Sequence, residues 1–226
     1  MDVLSTSSHD LPEVLPVFPL SGVLLLPYGR LPLNVFELRY RNMLDDAVNS
    51  DPYIGIIQPQ IGSPDVFEEE LPPKANVEPD LYEVGCVGEI ERHDELIENR
   101  HLILIRGISR FRVTEELELH RGYRRVAPAY DEFFADRQEA EYEVDGERLM
   151  AALAEFGQEH NIAFELDRLK DLPGLALLNS IAMALPFPPA EKQALLEAPS
   201  VSDRYETLVM LMKMGLQLRE RVADSN

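Results

Sequence analysis

Residues 15–44 read LPVFPLSGVLLLPYGRLPLNVFELRYRNML, and this stretch decides the fold class. Four prolines, Pro16, Pro19, Pro27 and Pro32, sit inside apolar runs of period two. Val14, Pro16, Phe18 and Leu20 point to one side of an extended chain, and Leu15, Val17 and Pro19 to the other. Proline brings no amide hydrogen to a ladder, so it suits strand starts, edges and bulges. The pattern predicts short, bent strands near 13–20, 22–27 and 31–36, at the rim of a small barrel. From Glu37 the period becomes helical: Tyr40, Met43, Leu44, Ala47 and Val48 share one face, with Arg39, Asn42, Asp45 and Asp46 off it. Glu37 lies four residues before Arg41, a favourable order for an ion pair.

Outward from this stretch, residues 53–58 read as a further strand. Residues 59–80 are rich in proline and acid and lack periodicity, which predicts a long mobile loop. Strands near 82–92, 101–106 and 108–117 form a meander with polar turns around Asp94 and Gly107. Gly85 and Gly88 inside the first of them point to a bulge or a close backbone approach. A strand at 123–130 completes the β domain, and an acidic connector follows at 131–143. Beyond it the period is helical throughout. Asp145 is suited to cap a helix carrying Leu149, Leu153 and Phe156. Pro173 and Pro188-Pro189 open two more helices, and Ser200 or Ser202 caps a last one bearing Tyr205, Leu208, Val209, Met212 and Leu216. The organisation expected is thus a frayed tail at 1–12, a β domain at 13–130, the connector, and a helical bundle at 144–222.

Three strings, in order, resemble one known family. They are Phe18-Pro19-Leu20 through Met43, the pair Tyr82-Glu83-Val84-Gly85 and Arg106-Gly107-Ile108-Ser109-Arg110-Phe111-Arg112-Val113, and Leu185-Pro186-Phe187 through Leu208. Together they resemble the substrate-binding (N-terminal) domain of Lon protease over about residues 13–218. The resemblance implies an α+β fold: a PUA-like β-barrel with one short helix, followed by an all-α helical bundle. It also implies non-catalytic recognition of polypeptide, either exposed apolar segments of misfolded protein or a specific partner. A complete Lon protease adds an ATPase and a Ser-Lys peptidase. The four lysines, Lys74, Lys170, Lys192 and Lys213, follow no glycine, so the Gly-Lys phosphate loop of an ATPase is absent. The recognition part is therefore expected to be encoded alone.

The bulk numbers narrow the partners. The chain has 226 residues, enough for one long domain or two small ones, and a net charge of −20. Each half carries −10, with 12 Lys+Arg against 22 Asp+Glu in residues 1–128, so no basic half is held in reserve. Such a charge opposes nucleic acid and anionic lipid. The single Cys86, in an apolar strand, reads as a buried inert thiol. With no signal peptide pattern and no long apolar run, the sequence reads as cytoplasmic. The histidines His9, His93, His101, His120 and His160 are dispersed with no helical His pair, so neither a metal nor a cofactor is expected.

Two local features could bind a macromolecule. Tyr28, Phe36, Arg39 and Tyr40 fall where a strand tip and the helix start, with prolines stiffening the hairpin ends; aromatics and arginine are the residues of protein-binding hot spots. Tyr28 and Arg39 lead this candidate partner-binding surface, while Phe36 and Tyr40 either support it or belong to the core. Arg121, Arg124 and Arg125 beside Tyr123 would serve the rival reading, an RNA-binding barrel, or else pair with neighbouring acids. A third reading, a cryptic hydrolase, requires a cleft with converging carboxylates or a His–acid pair. Met210, Met212 and Met214 lie on the last helix, as bundle core or as an adaptable binding face.

Overall fold

The structure is a computed structural model and describes residues 11–60, 79–138, 142, 144–169 and 171–223. Six strands pair in the order β2-β5-β4-β3-β1-β6, with β6 also paired to β5. They are β1 (Leu15–Pro19), β2 (Arg30–Val35), β3 (Tyr53–Ile57), β4 (Val84–Leu96), β5 (Arg100–His120) and β6 (Tyr123–Ala129). The pairings β5–β4–β3–β1–β6–β5 close on themselves, and β2 is added along the first part of β5. Among the described strands only β1 and β3 run parallel, joined by β2 and α1 (Leu38–Asn49), so the sheet is mixed.

Pro32 sits in β2, the strand that pairs with β5 alone. Gly107 N–H donates to Gly29 O at 2.9 Å, which makes Arg30/Arg106, Pro32/Leu104 and Asn34/Leu102 the non-hydrogen-bonded pairs. The proline nitrogen therefore faces the open edge, where no ladder bond is lost and strand addition is discouraged.

Residues 22–27 depart from the strand expected there. They pair with nothing in the sheet, yet Leu24, Leu25 and Leu26 are buried. The Leu26 carbonyl accepts from Gly29 N–H at 2.9 Å, so the chain turns instead of extending. Gly107 explains the close approach, since a Cβ there would stand 2.1 Å from Leu26 O. The same glycine was expected to mark a turn. Instead it lies within β5, which runs unbroken where two strands were expected, with a register shift against Val87/Gly88. Gly85 meets the expectation of close approach: a Cβ there would lie 2.5 Å from the Phe111 ring. Phe111, Leu15, Val17, Ile57, Val87 and Val126 fill a small core.

The helices are α2 (Gly146–His160), α3 (Leu166–Leu169), α4 (Gly174–Ala184), α5 (Pro189–Glu197) and α6 (Val201–Ala223). Asp145 caps α2, its carboxylate accepting from Arg148 N–H at 2.9 Å, and Asn161 ends it in the left-handed conformation (φ 55°). Ser200 Oγ accepts from Asp203 N–H at 3.1 Å, which settles the choice of cap for α6. The main core runs without a break from Phe18, Leu26, Val35 and Met43 to Leu149, Leu153, Leu178 and Leu208.

A polar seam crosses the same junction. The expected connector begins as a 3-10 segment, Asp131–Arg137, that buries Phe133 and turns Asp136 inward. Asp136 receives both sides of the Arg110 guanidinium (2.8 and 2.9 Å) and the Arg110 amide, while Arg110 also donates to the carbonyls of Leu196 and Ala198. Arg204 donates to Leu195 O, and Asn179 donates to Pro27 O at 2.8 Å. Gln193 reaches Val84 O, and Gln58 reaches Pro189 O. Burial, and then the neighbouring Arg110, push the Arg204 pKa down to about 10.

Candidate functional site

The four residues expected to form one surface fall in three places. Tyr28 is the third residue of the turn closed by Leu26 and Gly29, with φ 66°, half-exposed, its hydroxyl donating to Gln138 O at 3.2 Å. Phe36 lies at the other end of the six-residue β2, roughly 20 Å away at about 3.3 Å per residue. Tyr40 is core: 7% exposed, it packs its ring on Phe18 at 4.0 Å. Arg39 lies over the outer face of that ring at 4.7 Å and is paired with Glu37 at 3.1 Å. The apolar period of α1 made Tyr40 part of the core stripe, and that role is the one it fills.

Phe36 has neighbours that were not anticipated. Val35 pairs with His101, so the chain after β2 emerges beside the β4–β5 hairpin, and Arg41 of α1 donates to Asn99 O in its turn. Glu98 and Asn99 both take positive φ (64° and 53°) within the three-residue turn, Ile97–Asn99, that joins Leu96 to its register partner Arg100. That turn lifts Ile97 into solvent. Ile97 is 87% exposed, Leu38 66% and Phe36 63%, with Leu96 and Leu102 also exposed at this end. The visible signal was the apolar pair Leu96-Ile97 set between Asp94-Glu95 and Glu98-Asn99 in what read only as a polar turn.

The arginine cluster is engaged internally. Arg121 pairs with Asp46, and Arg124, buried, grips Glu116 through two bonds of 2.6 Å and donates to Pro79 O. Arg125 donates to Glu118 O. A cleft of about 250 Å³ lies beside them, lined in part by Asp46, Ser50, Asp51, Tyr53, His120 and Tyr123. It holds a His–acid pair, His120 and Asp46, at 3.6 Å. Asp46 also accepts from Tyr123 Oη at 2.9 Å, and burial first, then that carboxylate, push the tyrosine up to about 12. Ser50 Oγ donates to the Asp46 carbonyl, so the hydroxyl there acts as a helix-end clamp. Met212 is buried, whereas Met210 and Met214 are exposed. Cys86 is buried, which pushes its thiol pKa well up. Among the described residues no helix is long and apolar enough to cross a membrane.

The family profile of the ATP-dependent protease La (LON) substrate-binding domain matches residues 14–214. The chain belongs to the Lon substrate-binding domain family. It is 30% identical over 209 residues to Lon protease 2 of Myxococcus xanthus, covering 91% of this chain and 24% of that protein. With the Lon protease of Anaeromyxobacter dehalogenans the identity is 28%, again over 91% of this chain and 24% of the relative. It therefore spans about a quarter of the length of these curated Lon proteases. Two solved structures share the Lon N-terminal fold. A Lon N-terminal domain protein from Xanthomonas campestris gives a TM-score of 0.56 at 22% identity, over 88% of this chain and 97% of that one. The N-terminal domain of Mycobacterium avium complex Lon protease gives 0.56 at 18% identity, over 88% and 98%. The mixed sheet with several helices described above is thus the Lon N-terminal fold.

Proposed function

We propose that this Lon-type domain recognises polypeptide without catalysing a reaction, and that its binding surface lies where Phe36 and Leu38 meet the β4–β5 hairpin tip. The observation that carries the reading is the group of large apolar side chains left in water at one end of the sheet, in a chain that belongs to a substrate-binding family. Arg39 stands at the margin of this surface and offers planar donors to a bound backbone, while Tyr40 holds it from below. Tyr28 would make a separate contact. Apolar segments of an unfolded protein are the class of partner that such a surface suits, because they bring hydrocarbon without fixed shape.

The same reading takes the closed ring of strands as a PUA-like barrel at 13–130 and the helices of 144–222 as an all-α bundle, with 131–143 between them. Non-catalytic action is supported by lysines that follow no glycine and by a His120–Asp46 cleft whose hydroxyl is committed to a backbone carbonyl. The arginines near Tyr123 are bound to acids and carbonyls, so the RNA-binding reading gains no support. A cytoplasmic setting fits the lone buried thiol. The test is capture of a chemically unfolded model protein. Phe36→Asp with Ile97→Asp should abolish capture while the melting temperature stays put. Full capture by a folded double variant would overturn the placement.

A further inference from the structure

The histidines that are dispersed in sequence are not all dispersed in space. His93 in β4 and His101 in β5 bring ring nitrogens, Nε2 and Nδ1, within 2.9 Å of each other. His101 is buried and His93 exposed, so the pair opens to solvent from one side. Glu95 is the register partner of His101 and lies two residues from His93. Residues two apart on a strand, and residues directly opposite across a ladder, share a face. All three side chains therefore project from the same side of the hairpin, with an imidazole pair already converged and an exposed carboxylate beside it.

We propose that His93, His101 and Glu95 form a binding site for a divalent transition metal of the zinc, nickel or copper class. Imidazole nitrogen with one carboxylate suits these ions, and calcium or magnesium would need more oxygen. Zn–N bonds of about 2.0–2.1 Å at a tetrahedral angle place two ligand nitrogens about 3.3–3.4 Å apart. The facing nitrogens must separate by about 0.4–0.5 Å from their present 2.9 Å contact, and both rings must tilt by roughly 35° so that their lone pairs meet at one ion. Among the described residues no three such groups stand in ligand position, so Glu95 must swing in from solvent to complete the site, with water in the fourth position.

In the metal-free pair one facing nitrogen carries the hydrogen of the contact and the other accepts it. Binding turns both into lone-pair donors, and the displaced hydrogen is exchanged through water onto the far nitrogen of its own ring, so that both imidazoles stay neutral. A bound ion would tie β4 to β5 just below the turn that carries Leu96 and Ile97. The proposal does not rest on the polypeptide-binding reading, and its test uses the metal alone.

Titration calorimetry with zinc chloride near neutral pH should give one site per chain in the wild type. His93→Gln should weaken that binding at least about ten-fold, as should His101→Gln. Glu95→Gln should weaken it by less, and His120→Gln should leave it unchanged. His93 is exposed, so its variant keeps the test valid if the buried His101→Gln chain fails to fold. The visible d–d bands of bound cobalt report the same loss independently. Zinc affinity in His93→Gln equal to that of the wild type, or a wild type that takes up no zinc, overturns the assignment.

Discussion

The seam between β5 and the helices buries Arg110, Asp136 and Arg204, whereas the tip of the β4–β5 hairpin leaves Phe36, Leu38 and Ile97 in water. Each goes against the usual partition of charge and hydrocarbon, in opposite directions. At the seam the cost of desolvation is offset: Arg110 donates to a carboxylate and two carbonyls, and Asp136 receives three hydrogens. Nothing described offsets the exposure of Ile97 or Leu38. The difference separates what holds the two halves together from what is free to meet a partner.

The comparison breaks most visibly at Asp136. Asp136→Ala leaves the Arg110 guanidinium buried without its counter-charge and should cost about 3–5 kcal/mol, read from the urea midpoint. Arg110→Met with Asp136→Leu should recover part of that loss, because the Arg110 charge leaves with its counter-charge while Arg204 stays buried. A loss below about 1 kcal/mol in Asp136→Ala would mean that the seam is held by its apolar surroundings alone. Next comes Asn179→Leu. It strips the Pro27 carbonyl of its donor and should cost about 1–3 kcal/mol by the same measurement.

At the tip the expectation reverses. Ile97→Asp should change stability by no more than about 0.5 kcal/mol, the range of exposed positions, while capture of unfolded protein falls sharply. If its midpoint drops as far as that of Asn179→Leu, the tip is structural and the contrast fails.

The smallest effect concerns surface carboxylates that lie in neither region. The hydrogen bond from Arg30 holds the Glu91 carboxyl below its usual range, and that from Arg112 does the same for Glu132. A depressed folded pKa stabilises above the unfolded value, about 4.3, and is lost as pH falls through the folded one. Glu91→Gln with Glu132→Gln should flatten the acid limb of the stability profile slightly and leave neutral pH nearly unmoved. A steep acid limb that survives in this double variant would show that these two carboxylates do not set it.

The sequence pattern carried the elements whose period is long and clean. The stripe Tyr40, Met43, Leu44, Ala47 became α1, and Asp145 became a cap, because both signals are local. Residues 22–27 read as a strand because VLLLP is apolar on every side. Such a run suits a buried strand or a buried turn equally, and only the missing Cβ of Gly107, far along the chain, selects the turn. Asp136 looked like one more acid in an acidic stretch; its role depends on an arginine 26 residues away. The candidate surface was also drawn from nearness in sequence. Tyr28 and Phe36 are close in sequence but separated by the length of β2, and Ile97 comes to that end only through the pairing of β5. The tail at 1–12, expected to fray, and the loop at 59–80, expected to be mobile, lie outside the described residues except for 11–12, 59–60 and 79–80. The flanks of the loop are joined, Gln60 N–H donating to Asp80 O at 2.6 Å.

The closed circuit of strands also sets a timetable. β1 is made first, yet its antiparallel partner is β6, with Leu15 opposite Val126. At about 5–20 residues per second a ribosome needs on the order of ten seconds to reach that partner. Through this interval β3, β4 and β5 can assemble in order as they emerge, while one side of Leu15 and Val17 stays unpaired. The last seam to close therefore joins β1 to β6, and a nascent chain interrupted before residue 126 carries an open edge along β1.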